Sequence, residues 1–283
     1  MGKSMVRNLM KAGFELHIYA RTKSKVEDVI GEGAQFHESI KDCVQDCDAV
    51  ITIVGFPQDV EEVYFDEGNI LDSAKEGAYL IDMTTTSPQI AEKIYAEGTK
   101  RGFHVMDAPV TGGDTGAKAG TLSILVGGEK EDYEACMPLF EAMGTNINYQ
   151  GKAGCGQHCK LANQIMIAGT LSGVCEALTY AKEQGLDPEV FMKSVATGAA
   201  GSKQLDTFGP KILKDDYAPG FFMKHFIKDM KLALIEANRK GLSLDVLSMV
   251  LANYEELEQE GYGDLGTQAL MKFYDEEHRN MEE

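Results

Sequence analysis

The first 150 residues alternate short apolar, β-branched runs with helical stretches, and the residues after 151 do not. Leu16-His-Ile-Tyr19, Ala49-Val-Ile-Thr-Ile-Val54, Tyr79-Leu-Ile-Asp82, Phe103-His-Val-Met106 and Leu122-Ser-Ile-Leu-Val126 read as strands. Helical segments fall between them near 23–31, 57–64, 88–101 and 130–143. The run at 49–54 is apolar without interruption, as expected of a strand covered on both faces. Strand alternating with helix predicts a parallel sheet joined by helical crossovers. From Gly151, Gly154 and Gly156 a long helical stretch runs to about Gln184, and Gly185 ends it. Asp187-Pro188 then caps and opens the next helix. Beyond it only helices are expected, broken at 197–202, at Ala218-Pro-Gly220 and at Gly241. The chain of 283 residues is long enough for two ordinary domains. The pattern predicts an α/β domain over 1–152 and an all-helical domain over 153–283, joined by the long helix.

Composition narrows the function classes. A hydrophobic fraction of 43% supports a packed core. A formal net charge of −18 repels phosphate backbones and anionic lipid surfaces, so neither nucleic acid nor membrane is an expected partner. We read no apolar run as a bilayer span and no secretory signal in MGKSMVRNLMKAGF. Six cysteines, at 43, 47, 136, 155, 159 and 175, do not form a disulfide framework for a chain this long. Cys155, His158 and Cys159 lie close together but lack the second ligand pair of a zinc site, so no metal is expected. Reduced thiols point to the cytoplasm.

Dinucleotide-binding α/β domains open with a strand and a G-x-G-x-x-G turn that lets backbone N–H groups approach a pyrophosphate. Here Met1-Gly2-Lys3-Ser4-Met5 looks like the last glycine of that turn and the start of its helix. The first strand and first two glycines are absent from the sequence, which predicts cofactor affinity below that of a complete relative. After the strand ending at Tyr19 come Arg21, Thr22 and, one turn on, Lys25. An acidic residue in that place favours NAD, whereas Arg accommodates the 2′-phosphate of NADP. A basic helix start without a ligand explains these residues equally well in isolation; on a doubly wound sheet NADP leads, with NAD as the alternative.

Two longer segments carry the chemistry. One is Asp107-Ala-Pro-Val-Thr-Gly-Gly113 with Ala117, Gly120-Thr121 and Val126-Gly-Gly128. The other is Gly151-x-x-Gly154-x-Gly156-x-x-x-Lys160-x-x-Asn163. Carbonyl reduction needs a proton donor as hydride arrives, and a lysine ammonium can be one. Asn163, three residues on, faces the same way if the segment is helical. Alone, such a pair is usually a surface feature; the glycine-rich approach suggests backbone brought close to a ligand. Together the segments resemble the β-hydroxyacid dehydrogenase family, which includes 3-hydroxyisobutyrate dehydrogenases, tartronate semialdehyde reductases and glyoxylate/succinic semialdehyde reductases. The resemblance covers essentially the whole chain. It implies a Rossmann-type domain followed by a helical domain like that of 6-phosphogluconate dehydrogenase.

By resemblance Lys160 is the catalytic acid/base, and Thr111, Gly112, Gly113 and Asn163 bind a small carboxylate substrate. Gly2, Arg21, Thr22, Lys25, Pro57, Thr85 and Lys228 lie at the cofactor, Lys228 within Ile227-Lys-Asp229. Thr111 stands where many members have Ser. Each has a plainer reading: Gly112-Gly113 a tight turn, Lys228 a surface charge, Thr85 a helix cap before Ser87-Pro88. Related imine reductases usually replace the lysine, so Lys160 favours C=O over C=N chemistry. The expected function is NADP-dependent hydride transfer between cofactor and a small β-hydroxyacid or semialdehyde. The competing reading is a non-catalytic remnant that acts as an interaction or oligomerisation protein. A homodimer or homotetramer is expected, with Ile165, Ile167, Leu171 and Val174 as exposed apolar positions on the long helix.

Overall fold

The computed structural model describes residues 1–274. Its elements run α1 (Gly2–Lys11), β1 (His17–Ile18), α2 (Glu27–Gly31), β2 (Gln35–Phe36), α3 (Ile40–Val44), β3 (Ala49–Thr52), α4 (Pro57–Phe65), α5 (Ile70–Ser73), β4 (Tyr79–Asp82), α6 (Pro88–Lys100) and β5 (His104–Asp107). There follow β6 (Val110–Thr111), α7 (Gly113–Ala119), β7 (Leu122–Gly128), α8 (Lys130–Ala135), α9 (Met137–Met143) and β8 (Gly144–Gly151). The helices α10 (Cys155–Glu183), α11 (Pro188–Val195), α12 (Lys203–Ile212), α13 (Met223–Arg239) and α14 (Asp245–Gln259) complete the chain, with 3₁₀ turns at Lys23–Lys25, Tyr262–Asp264 and Thr267–Tyr274. Two compact units result, Met1–Lys160 and the part from Leu161 onward.

In the first unit, β3, β4 and β5 lie parallel and in register, so that Thr52, Asp82 and Asp107 form one row across their carboxyl ends. The expected parallel sheet is present in β3–β5, and the pairing changes beyond β5. There β7 pairs antiparallel to β5 and β6 and parallel to β8. Residues 112–121, with the short helix α7, join β6 to β7, shorter than a parallel crossover needs, and β6 pairs antiparallel with β7. The strands β1 and β2 pair parallel with each other in a separate two-stranded sheet, and the first element is the helix α1. Gly2 opens that helix, where a Cβ would come within 3.3 Å of Ile53 Cγ2. The core of this unit gathers Met5, Leu9, Ile81, Met106, Ile124, Val126 and Phe140 on one side, and Val50, Val60, Leu80, Ile94 and Val105 on another.

The second unit is built on α10. Leu161, Ala168, Leu171, Val174, Cys175 and Leu178 face Phe226, Met230, Val250, Tyr254 and Leu257. Leu171 and Val174 are thus core residues at 0% and 8% exposure, which corrects their expected place on an open face. The apolar side of this helix that stands open is marked instead by Met166 and Tyr180. By length and composition α10 could cross a membrane, contrary to the sequence reading. Its apolar content is explained by the core it supports.

Candidate active site

The row Thr52–Asp82–Asp107 is buried and polar, an arrangement that needs a reason at the edge of a sheet. Thr52 Oγ1 donates to Asp82 Oδ1 at 2.8 Å, and the backbone N–H of Thr84 reaches the same oxygen at 3.1 Å. Asp82 Oδ2 has no hydrogen-bond partner among the described residues. Burial pushes the Asp82 carboxyl up to about 6, against the pull of Thr84 and Thr52, and Asp107 adds like-charge repulsion. Burial likewise raises Asp107, although the N–H groups of Gly154 and Gln157 pull it down.

Those two N–H groups belong to the entry into α10. Gly154 N donates to Asp107 Oδ1 at 2.7 Å and Gln157 N to Oδ2 at 2.8 Å. The carboxylate satisfies amides that would otherwise be orphaned at a helix start. The approach requires glycine on both sides. A Cβ on Gly127 would lie 2.6 Å from Asp107 Oδ1, and one on Gly156 would lie 2.6 Å from Asp107 O. Lys160 follows one turn later and is only 7% exposed. Beside it, burial raises the pKa of the Cys159 thiol, with Lys160 pulling the other way, so that side chain is no ready nucleophile.

Two loops leave the carboxyl ends of the parallel strands β3 and β4, where open α/β sheets place their ligands, and a third turn follows β6. The first leads from β3 to Pro57 at the first turn of α4, with Phe56 N donating to Asp59 Oδ2 at 2.9 Å. The second carries Thr84, Thr85 and Thr86. Thr84 and Thr86 are 2% and 0% exposed, whereas Thr85 is partly open. The cap of α6 is Ser87, whose hydroxyl accepts from Gln89 N, so Thr85 does not serve as that cap. The third carries Thr111, Gly112 and Gly113, both glycines at positive φ, 126° and 64°. That backbone turns into α7 in a way open to glycine alone at little cost.

Arg21 extends from the loop after β1 to α4. Its Nη1 meets Asp59 Oδ1 and its Nη2 meets Glu62 Oε2, both at 2.7 Å. Arg21, Thr22 and Lys25 are exposed together. The structure thereby brings Arg21 to the helix that Pro57 opens. In the second unit, Asn163 Nδ2 donates to Gln164 Oε1, and Gln164 Nε2 donates to the buried Asp229 Oδ2 at 2.7 Å. Lys228 Nζ lies 3.0 Å from Asp229 Oδ1, its side chain 12% exposed. The plain surface-charge reading of Lys228 does not fit that burial. Sequence reasoning missed Gln157 as a partner of Asp107 in the first unit and, separately, Gln164 as the link between Asn163 and Asp229 in the second.

Two family models divide the chain between them. One, described as the NAD binding domain of 6-phosphogluconate dehydrogenase, matches residues 1–151. The other, described as NAD-binding of NADP-dependent 3-hydroxyisobutyrate dehydrogenase, matches residues 154–274. The chain belongs to the β-hydroxyacid dehydrogenase family. Among these dehydrogenases it is 49% identical to the uncharacterized oxidoreductase YkwC of Bacillus subtilis, over 97% of this chain and 95% of that one. It is 44% identical to the probable 3-hydroxyisobutyrate dehydrogenase-like 1, mitochondrial, of Arabidopsis thaliana, over 96% of this chain and 81% of the relative. A solved structure of the Mycobacterium tuberculosis 3-hydroxyisobutyrate dehydrogenase with L-serine superposes with a TM-score of 0.88. The two are 26% identical, with 96% of this chain and 94% of the other covered. As a member of this family the chain is an NAD(P)-dependent hydroxyacid dehydrogenase.

Proposed function

We propose that this dehydrogenase interconverts a short β-hydroxyacid and its carbonyl partner, of the 3-hydroxyisobutyrate, tartronate semialdehyde or succinic semialdehyde type, and prefers NADP. The observation that carries the reading is Lys160: a lysine held 7% exposed, one turn past amides fixed on Asp107. Burying an amine is costly unless polar neighbours offset it, and active sites are where folds carry such groups.

The donor chemistry of the first unit suits a phosphorylated dinucleotide. Arg21, Thr22 and Lys25 offer cationic and hydroxyl donors for a 2′-phosphate, and the partly exposed Thr85 offers a further hydroxyl. Pro57 and Gly2 would border the same ligand, with Lys228 as a further cation. When bound, the nicotinamide supplies or accepts the hydride. Lys160 gives its proton to the carbonyl oxygen during reduction and takes it back from the hydroxyl during oxidation. Thr111 and the N–H groups of Gly112 and Gly113 hold the substrate carboxylate. Asn163 holds the substrate oxygen. We further propose that the Rossmann-type domain binds cofactor and that the helical domain shapes the substrate pocket and mediates self-association. Met166, Val246 and Met249 are exposed at 73%, 59% and 51% and would be covered in a homodimer.

A non-catalytic role is not favoured, since the segments with the chemistry lie within matches that span 81% to 95% of each relative named above. A panel of short hydroxyacids and semialdehydes assayed with NADPH and NADH tests the reading. Turnover of at least one, lost in Lys160→Ala while NADPH still quenches on binding, is expected. Turnover that survives the substitution refutes the assignment.

A further inference from the structure

One buried side chain joins the two segments that this reaction has to hold together. Gln157 is 0% exposed. Its Nε2 donates to Thr84 O at 2.8 Å and its Oε1 accepts from Thr86 N at 2.9 Å. The carboxamide thus pairs with the loop as a neighbouring peptide unit would, on either side of Thr85. Both its donor and its acceptor are used on backbone groups, which fixes the amide orientation and the loop at once. The backbone N–H of the same residue donates to Asp107 Oδ2. Gln157 is therefore anchored to the loop after β4 through its side chain and to β5 through its main chain.

Lys160 lies three residues further along this helix, about 4.5 Å in rise and roughly 60° in rotation. A shift of the first turn of α10 against the threonine loop moves Lys160 against Thr85 by a similar amount. We propose that Gln157 is a positioning residue: it couples the loop that presents Thr85 to the cofactor with the helical turn that presents Lys160 to the substrate. The hydride site and the proton donor are then set by one rigid bridge rather than by two independent loops. The inference rests on the proposed role of Lys160.

The test compares Gln157→Glu, Gln157→Asn and Gln157→Met in the full chain. Glu keeps the acceptor for Thr86 N and loses the donor to Thr84 O. Asn keeps both groups but is one methylene short, and Met keeps length without either bond. Each is assayed with NADPH and the semialdehyde that the wild-type chain reduces fastest, alongside thermal melting and the pH profile of kcat. In variants that fold, kcat is expected to fall roughly 10–100-fold, the size of effect that an ångström-scale misplacement produces. The pH profile is expected to shift and the KM for NADPH to rise. A folded variant whose kcat and pH profile stay within twofold of wild type, even with a lowered melting temperature, overturns the proposal and leaves Gln157 as structural glue. Gln157→Glu, the most conservative change, decides the matter if Gln157→Met does not fold. Lys160→Ala is measured in parallel. Loss there with normal kinetics in the Gln157 variants defeats the coupling alone, whereas turnover in Lys160→Ala defeats the reading beneath it.

Discussion

At the scale of single residues, the carboxyl row of the sheet is where charge, burial and pH meet. The Asp82 carboxyl is raised from its ordinary value near 3.8 to about 6 in the folded chain. The folded state therefore holds a proton that the unfolded state has already released. Its contribution to stability is complete below the unfolded value and is lost as pH rises through about 6. A shift of this size corresponds to about 3 kcal/mol between the two limits. Asp82→Asn removes the titration while leaving an oxygen for Thr52 and Thr84. The variant is expected to flatten the urea-unfolding free energy between pH 4 and 7, where wild type declines. Arg21 sets a different balance. Its guanidinium is half exposed and engaged by the half-exposed Glu62 and the more buried Asp59, so water screens the Glu62 pair most and a 2′-phosphate competes for that side first. Arg21→Ala should weaken NADPH binding about tenfold or more relative to NADH, read by fluorescence titration, as for the loss of a charge-assisted bidentate contact. Equal losses for both cofactors would remove the argument for NADP.

At the scale of elements, the start of α10 is the most constrained point of the site. A methyl on Gly156 would press on the backbone oxygen of Asp107 at 2.6 Å, against strand backbone with no freedom to give way. Gly156→Ala should cost about 1–3 kcal/mol in urea denaturation, the range for overpacking, and should lower activity by lifting the turn off Asp107. The strand at 49–54 was legible as a continuous apolar run, and those at 79–82 and 122–126 as short, mostly apolar β-rich runs between helical stretches. The end of α10 was legible from Gly185, which adopts φ 74°. The two-residue strands at Gln35–Phe36 and Val110–Thr111 were not, since a pair of residues carries no periodicity. Nor was the antiparallel pairing of β7, which depends on contacts distant in sequence. The expected helix over 130–143 divides at Cys136, ahead of Pro138 within the first turn of α9, where proline is tolerated. Lys160 and the glycines before it stood out in the sequence because glycine spacing records close backbone approach. Gln157 did not, because a glutamine in a helix has no signature until its partners are known.

At the scale of the whole molecule, each unit has its own apolar core, and stability is divided accordingly. Leu171, fully buried among α10, α13 and α14 residues, is central to the second. Leu171→Ala should destabilise that unit by about 2–5 kcal/mol, measured by denaturant unfolding, with the first unit's transition less affected. A net charge of −18 disfavours non-specific association, so the proposed homodimer would have to be held by the exposed apolar residues of α10 and α14. The proposed chemistry asks that cofactor loops, carboxylate-binding turn and Lys160 act in one step. Single-turnover stopped flow tests this most directly: NADPH-loaded protein is mixed with its best semialdehyde, and loss of nicotinamide absorbance is followed in wild type and in Lys160→Met. A first-order decay that slows roughly 100- to 10,000-fold in the variant, with NADPH affinity within a few-fold, is the predicted result for loss of the proton donor. A decay of unchanged rate in Lys160→Met would contradict the account.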